Sequence, residues 1–358
     1  MLEARAQRFL FFSPMVTKPT GGVRVIYDYV YRLREMGYEA YVYHSVDKYK
    51  YQYADKDVPI FQGDTITEKD HLIIPDVFVC QISDSDIDIN QKYSLLIQNP
   101  YILRSLSRYS DLSKLLDAVN RATKILCISD DAMEIILRIS PSCEGKVMRV
   151  TWSLDPMKFV TQESKEPLIT YMPRKNITHI NLIYECLHAN LPAHWSLEPI
   201  EGVSQKQLSK ILSKSSIFLQ FGSFEGLPAP PVEAAISGNY VIGYHGNGGR
   251  EYWREPNFID VNVGDISKFS QQVLDLIARI DSNQSDHMEL EEGINSLIAK
   301  FSSDEEVKYL RLFVNSVSKD TSELRSEERI TKLPFKKRYL NYLLNRILTR
   351  LIQIKNGY

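Results

Sequence analysis

Apolar positions along this chain gather into short, nearly continuous runs, separated by stretches where apolar residues recur at helical spacing. Residues 8–14 (RFLFFSP) read as a buried first strand. A loop with Pro19, Gly21 and Gly22 leads into 23–36, where Val23, Ile26, Tyr27, Val30 and Leu33 share a helical face until Gly37 stops it. Residues 39–44 alternate as a second strand, so the chain opens β-α-β with Gly21-Gly22 at the helix amino end. Short runs at 72–74, 77–80 and 93–98 predict further strands. A linker is expected at the polar stretch 161–166. Residues 47–71 are polar and rich in Lys, Tyr and Asp, and read as a surface insertion. The second half restarts with strands at 168–172, 217–221 and 240–243, helices at 206–214 and 232–237, and amphipathic helices at 269–280 and 305–317. Buried runs alternating with helices predict an α/β chain with parallel sheets.

Composition sharpens this only a little. A length of 358 residues suggests two domains, and 44% hydrophobic with 25% charged residues is ordinary for a soluble chain. No run approaches the roughly 18 apolar residues of a membrane span, and the first dozen residues are too charged for a signal peptide, so a cytoplasmic protein is expected. Cys80, Cys127, Cys143 and Cys186 show no metal-ligand or disulfide spacing. The total charge of −2 is uneven: eight cations and no acid follow Glu328, leaving −10 on the rest. That distribution argues against a general nucleic-acid binder.

The densest chemistry lies at 216–252. A buried run ends at Phe221, a Gly/Pro segment spans 222–231, a helix stops at Gly238-Asn239, a second buried run follows, and then Gly246-Asn247-Gly248-Gly249. Strand, Gly/Pro loop, helix, strand and Gly loop is how a nucleotide site is built at the carboxyl edge of a parallel sheet. Glu225 and Glu233 bracket the breaker segment, and carboxylates suit the vicinal hydroxyls of ribose or hexose. Each feature has a plainer alternative. An acid in a first helical turn compensates the helix dipole, and Asn-Gly between apolar runs signals a hairpin. Arg174 and Lys175, after the strand at 168–172, suit a diphosphate or form a basic surface turn. Gly21-Gly22 can face a phosphate or simply make a tight turn. The chain lacks G-x-G-x-x-G, which disfavours a nicotinamide dehydrogenase. Residues 84–88 hold two overlapping Asp-x-Asp pairs, the pattern with which the fold called GT-A holds a metal and a diphosphate; an acid-rich surface loop is the alternative.

The stretch FEGLPAPPVEAAISGNYVI resembles the signature of glycosyltransferase family 4, a retaining, GT-B-fold group that uses nucleotide-sugar donors. That signature is a Glu, seven residues, and a second Glu followed by small residues, a Gly and an apolar strand. Glu225 and Glu233 match the acids, Ala234-Ala235 the small pair and Gly238 the glycine. Gly248-Gly249 and Glu251 resemble the family's Gly-Gly-x-x-Glu region, one residue shorter. The resemblance implies two Rossmann-like domains with parallel sheets facing across a cleft, at 1–160 and 167–320, followed by a basic tail at 321–358. It implies that Glu233 holds the donor ribose and Glu225 the transferred sugar, with Gly226, Leu227, Gly248 and Gly249 beside them. Arg174 fits the family's phosphate-binding Arg and Lys175 its Lys, adjacent here rather than spaced. Val203 falls in the loop that holds the nucleobase, and Gly21-Gly22 line the donor cleft. Asn99 and Tyr101 stand where many members carry a sugar-contacting His.

The resulting expectation is a retaining, metal-independent glycosyltransferase with no cofactor. It moves a sugar from a nucleoside diphosphate to a hydroxyl of a glycan or lipid-linked acceptor, in surface polysaccharide synthesis. Arg174 and Glu225 are its catalytic candidates, and no protein nucleophile is evident. A catalytically silent subunit that binds a nucleotide sugar or a partner enzyme is the alternative. In the tail, Leu340, Leu343, Leu344, Ile347, Leu348, Leu351 and Ile354 form an apolar stripe ringed by cations. It suits an anionic membrane surface, giving a peripheral protein, or packing on the first domain.

Overall fold

The computed structural model describes residues 7–45, 49–63, 65–67, 69–82, 91–103, 112–159, 164–284, 287–318 and 330–332. The acid run at 84–88 and the tail stripe at 335–355 lie outside them. Two compact units emerge, the first formed by Met1–Ile128, Ala132–Val150 and Val307–Tyr358, the second by Ser129–Asp131 and Thr151–Glu306.

In the first unit the strands β1 (Arg8–Phe12), β2 (Glu39–Tyr43), β4 (Asp70–Pro75), β5 (Tyr93–Ile97), β6 (Ile125–Cys127) and β7 (Val147–Arg149) form one sheet in the order β2-β1-β4-β5-β6-β7. Every pairing in it is parallel. A parallel sheet covered on both faces needs strands that are apolar on both sides, and β4 and β5 are buried along their whole length. The helices α1 (Gly21–Glu35), α2 (Val79–Ile82), α3 (Leu112–Arg121) and α4 (Asp130–Ile139) connect the strands. Because β2 lies on one side of β1 and β4 on the other, the connection reverses direction at β1. Ligands of such sheets bind beyond the carboxyl ends of the strands at this reversal.

Two expectations for this unit are corrected. Residues 77–80 are not a strand. Pro75 ends β4, and the Asp76 carboxylate accepts from the Val77 N–H at 2.8 Å, turning the chain through a 3-10 turn (Asp76–Phe78) into α2. Nor is 47–71 merely a surface insertion, since β3 (Thr65–Thr67) buries Ile66 completely and Tyr51 is 2% exposed.

The second unit contains β8 (Glu166–Tyr171), α5 (Ile177–His188), β9 (Ser196–Pro199), α6 (Gln205–Lys214), β10 (Ser215–Gln220), α7 (Pro230–Ile236), β11 (Tyr240–Gly243), β12 (Phe258–Asp260), α8 (Ile266–Asp281) and α9 (His287–Lys300). Its sheet is again all parallel, in the order β12-β11-β10-β8-β9. The reversal falls between β8 and β10. The hairpin alternative at 246–249 is thereby excluded, because the strands before and after that loop run parallel.

The second unit takes Thr151–Glu306, and the chain returns to the first unit at Val307. Residues 151–154 count with the second unit because Trp152 stacks on Phe301 (4.3 Å, 10°) and Ser153 donates to Glu306 from both N–H and hydroxyl. The helix α10 (Ser303–Ser318) counts with the first unit from Val307, where Phe313 packs edge-on against Phe9 and His71. The last described element, β13 (Ile330–Lys332), pairs antiparallel with β3.

One polar cluster shapes the loop between β1 and α1. His44 is buried, with Nδ1 3.1 Å from the Ser13 carbonyl and Nε2 2.8 Å from Tyr27 Oη. The carbonyl requires a hydrogen on Nδ1, so Nε2 accepts from Tyr27, whose oxygen in turn accepts the Tyr51 N–H at 3.1 Å. Burial pushes the imidazole down to about 4 from its ordinary 6.5. Between those values the unfolded chain binds a proton that the folded one refuses. Stability from this site is therefore complete above pH 6.5 and lost as pH falls toward 4. Urea denaturation between pH 7 and 4 is expected to show about 3 kcal/mol more acid destabilisation in the wild type than in His44→Asn.

Candidate functional site

The second unit's switch point is built from two loops. β8 runs through Met172 and Pro173 to Arg174 and Lys175, and Asn176 then turns left-handed (φ 51°) to start α5. Asn tolerates that conformation better than most residues. Its amide nitrogen donates to the Phe221 carbonyl and, at 3.0 Å, to Ser223 Oγ, fastening this turn to the loop after β10. Lys175 Nζ forms an ion pair with Glu225 Oε1 across the same gap. Arg174 is exposed and makes no ion pair with a described residue.

Glu225 is held from the other side by the glycine loop after β11. Its N–H donates to the Gly246 carbonyl (2.8 Å) and its carbonyl accepts from Gly248 (3.1 Å), a parallel bridge centred on Asn247. This approach requires glycine at 248, where a Cβ would lie 1.6 Å from the Gly226 carbonyl oxygen. At Gly222 a Cβ would stand 2.5 Å from the Glu225 carboxylate, so that carboxylate folds back over bare backbone. Leu227 and Pro228 are pinned through their carbonyls, by Trp152 Nε1 at 3.3 Å and by Tyr252 Oη at 2.8 Å. Burial, then the charges of Glu225 and Glu251, raise the Tyr252 phenol well above its ordinary range, so it remains a neutral donor.

Glu233 lies in the first turn of α7 and is 4% exposed. The far end of α7 is fixed by Lys165, whose amine donates to the carbonyls of Leu212 (3.0 Å) and Ser237. Burial pushes that amine down to about 7. Val203 precedes Ser204, which caps α6 in a reciprocal capping box with Gln207. Glu251 sits in a structural contact, paired with Lys300 at 3.2 Å and accepting the Asp130 N–H at 2.9 Å.

The other expected residues lie at the switch point of the first sheet. Gly21 is exposed, with open space where a side chain would project. Gly22 lies under Gln98, whose Nε2 donates to the Gly22 carbonyl at 2.9 Å. Asp76 accepts the N–H groups of Gln98 (2.9 Å) and Asn99 (2.6 Å). Burial pushes its carboxyl up to about 7 against the pull of these bonds. Asn99 Oδ1 accepts from Tyr101 N at 3.1 Å and caps the short turn Pro100–Ile102.

Lys175, Glu225, Gly226, Leu227, Gly248 and Gly249 are thus gathered at one sheet edge, with Arg174 exposed beside Lys175 and Glu233 buried on the adjoining helix. Gly21, Gly22, Asn99 and Tyr101 gather at the edge of the other unit's sheet. Sequence reasoning missed Asn176, Gln98, Asp76, Trp152, Tyr252 and Lys165. Only Asn176, immediately before a helix, carried a local signal. Among the described residues no three His, Cys, Asp or Glu side chains cluster as a metal site, and no helix is long and apolar enough to cross a membrane.

The steric reading of Gly248 is testable. Gly248→Ala is expected to cost about 3 kcal/mol of stability, because the obstacle is backbone. Gly249→Ala, whose Cβ would meet the Tyr252 hydroxyl at 3.2 Å, should cost under about 1 kcal/mol; chemical denaturation of both variants measures the difference.

No family model and no curated protein matches this chain. Solved structures do. Sucrose-phosphate synthase from Thermosynechococcus elongatus is 12% identical with a TM-score of 0.61, over 88% of this chain and 100% of that one. The apo form of the lipopolysaccharide outer core galactosyltransferase WaaB is 15% identical with a TM-score of 0.58, over 87% and 99%. TarM is 11% identical with a TM-score of 0.52, over 70% of this chain; the match spans 55% of TarM's own length. At such identities the likeness concerns the fold. Together with the two all-parallel sheets, it identifies the architecture as GT-B, with two Rossmann-like domains.

Proposed function

We propose that this protein is a retaining glycosyltransferase of family 4. It transfers a sugar from a nucleoside diphosphate to a hydroxyl of a glycan or lipid-linked acceptor in surface polysaccharide synthesis. The observation that carries the reading is the switch point of the second sheet, where the Lys175–Glu225 pair lies against the Gly246–Gly249 loop, next to the helix bearing buried Glu233. Structures of the same fold bear the names of a galactosyltransferase and a sucrose-phosphate synthase, which supports this class of chemistry.

The barrier in such a transfer lies in building an oxocarbenium-like sugar while a diphosphate departs. Groups already aimed at the departing charge lower it most, because they need no reorganisation during the reaction. Arg174 supplies a planar fork and Lys175 a point charge for the phosphates. The N–H groups of Gly248 and Gly249 complete the anion's surroundings within the second unit, and in the first unit Gly21 and Gly22 are assigned to the donor as N–H groups of the same kind. Glu233 accepts from the ribose hydroxyls and Glu225 from the hydroxyls of the transferred sugar, with Gly226 and Leu227 against the donor and Val203 beside the base. Asn99 and Tyr101 stand on the sugar and acceptor side. The acceptor hydroxyl attacks the face from which the diphosphate leaves; the bond from the anomeric carbon to the phosphate oxygen breaks, that oxygen takes the hydroxyl's proton, and the anomeric configuration is retained without a protein nucleophile. With cations and amides balancing the diphosphate charge, transfer is metal-independent and continues in excess chelator.

A panel of UDP-, GDP-, dTDP- and CMP-sugars, followed by thermal shift and by donor hydrolysis or transfer, tests this reading. Glu233→Gln is expected to lower kcat/KM for the donor about 100-fold, equivalent to about 2.7 kcal/mol, with a melting temperature close to wild type. Donor binding without turnover would instead identify a silent donor-binding subunit. No binding of any nucleotide sugar would remove the proposal.

A further inference from the structure

α7 is seven residues long, so its carbonyl end lies one turn from Glu233. The last carbonyls of a helix need donors from beyond its own ladder. Here the Glu233 carbonyl accepts from Ser237 twice, from its N–H at 3.1 Å and from its Oγ at 2.9 Å. The Ala234 carbonyl accepts from Asn239 twice, from N–H and from Nδ2, each at 3.0 Å. The Ser237 carbonyl accepts from the Lys165 amine. Glu233 thus stands two hydrogen-bonded steps from Lys165, through Ser237.

Lys165 reaches this place from outside the helix. It lies just before β8, and its amine also donates to Leu212, near the end of α6, at 3.0 Å. The Leu212 carbonyl accepts Asn239 Nδ2 at 2.7 Å as well, so both of its lone pairs are used. Asn239 Oδ1 in turn accepts from Ser215 Oγ, on β10, at 2.5 Å. Two helix ends and the sheet therefore meet at one amine and one amide, all within the second unit. The neighbouring charged side chains Glu166 and Lys214 pair with each other at 2.7 Å. An apolar side chain would fill this place without the cost of drawing an amine out of water. What the amine adds is a fixed direction for two carbonyls.

We propose that Lys165 is a positioning residue for donor binding: by holding the Ser237 carbonyl it sets α7 against α6, and through Ser237 it sets the place from which Glu233 meets the donor ribose. This rests on the assignment of Glu233 to the ribose under the proposed function. The ribose does not change during transfer, so a contact to it acts equally on the ground and transition states and is read in KM. A residue that merely supports the fold would change the melting temperature and leave the donor KM of the folded protein intact.

Lys165→Met keeps an unbranched stem and removes the donors. In the full-length protein, two results are expected together. Hydrogen exchange read by mass spectrometry should quicken in peptides covering 230–239, and the donor KM should rise about 10-fold with kcat within about twofold of wild type. Ser237→Ala removes only the Oγ link to Glu233, and its donor KM should rise about threefold; it tests the same relay if Lys165→Met does not fold. Unchanged donor KM in either folded variant, against an active wild type, would overturn the proposal alone. So would a raised KM in Lys165→Met without faster exchange, since the loss would then arise elsewhere. A wild type that turns over none of the four nucleotide-sugar classes would overturn the glycosyltransferase reading, and this inference with it.

Discussion

The second unit's sheet edge depends on one close backbone approach, that of Gly248 to the Gly226 carbonyl. Parallel pairing of β10 and β11 stops at Gln220 and Gly243, yet Glu225 and Asn247 pair again beyond the strand ends. The two loops thus behave as an extension of the sheet. A carboxylate mounted on such a loop has little freedom to lose when it meets a ligand, which is the physical content of preorganisation. Even a single methyl group at 248 would have to push this pairing apart.

Both units solve the same problem by the same means. Loops at the carboxyl edge of a parallel sheet leave peptide groups without ladder partners, and these need replacement bonds. In the second unit, Asn176, Trp152 and Tyr252 reach the carbonyls of Phe221, Leu227 and Pro228. In the first, Gln98, Tyr49 and Tyr51 reach those of Gly22, Val16 and Thr20. The buried ionisable groups fit this pattern. Asp76 and Lys165 are directed at backbone rather than at opposite charges, so burial moves each toward its neutral form.

How much of this can be read from the chain follows from range. The strands of the two sheets appear as apolar runs because both faces are covered, and 8–12, 93–97 and 240–243 stand out on that ground alone. The run at 77–80 has the same apolar character but turns, because the Asp76 side chain captures the next N–H; hydrophobicity carries no trace of that bond. The helices Leu112–Arg121, Ile177–His188 and His287–Lys300 were not anticipated. At the site, Glu225, Glu233 and the paired glycines are legible because their spacing is local. The Lys175–Glu225 pair joins residues 50 apart, and Tyr51 meets Thr20 from 31 away. Such partners are set by the folded path of the chain, so the tyrosines of 49–53 resembled a polar surface tract.

A last consequence concerns the pairing of β3 with β13. Ile330–Lys332 is the only strand beside Thr65–Thr67 among the described residues, and it comes from more than 260 positions later in the chain. Proteolysis or a premature stop before Ile330 would strip β3 of its neighbour and bare a strand edge next to fully buried Ile66. Bare edges of that kind recruit other chains, so shortened forms of this protein would gain an unpaired edge on β3 that Ile330–Lys332 otherwise occupies.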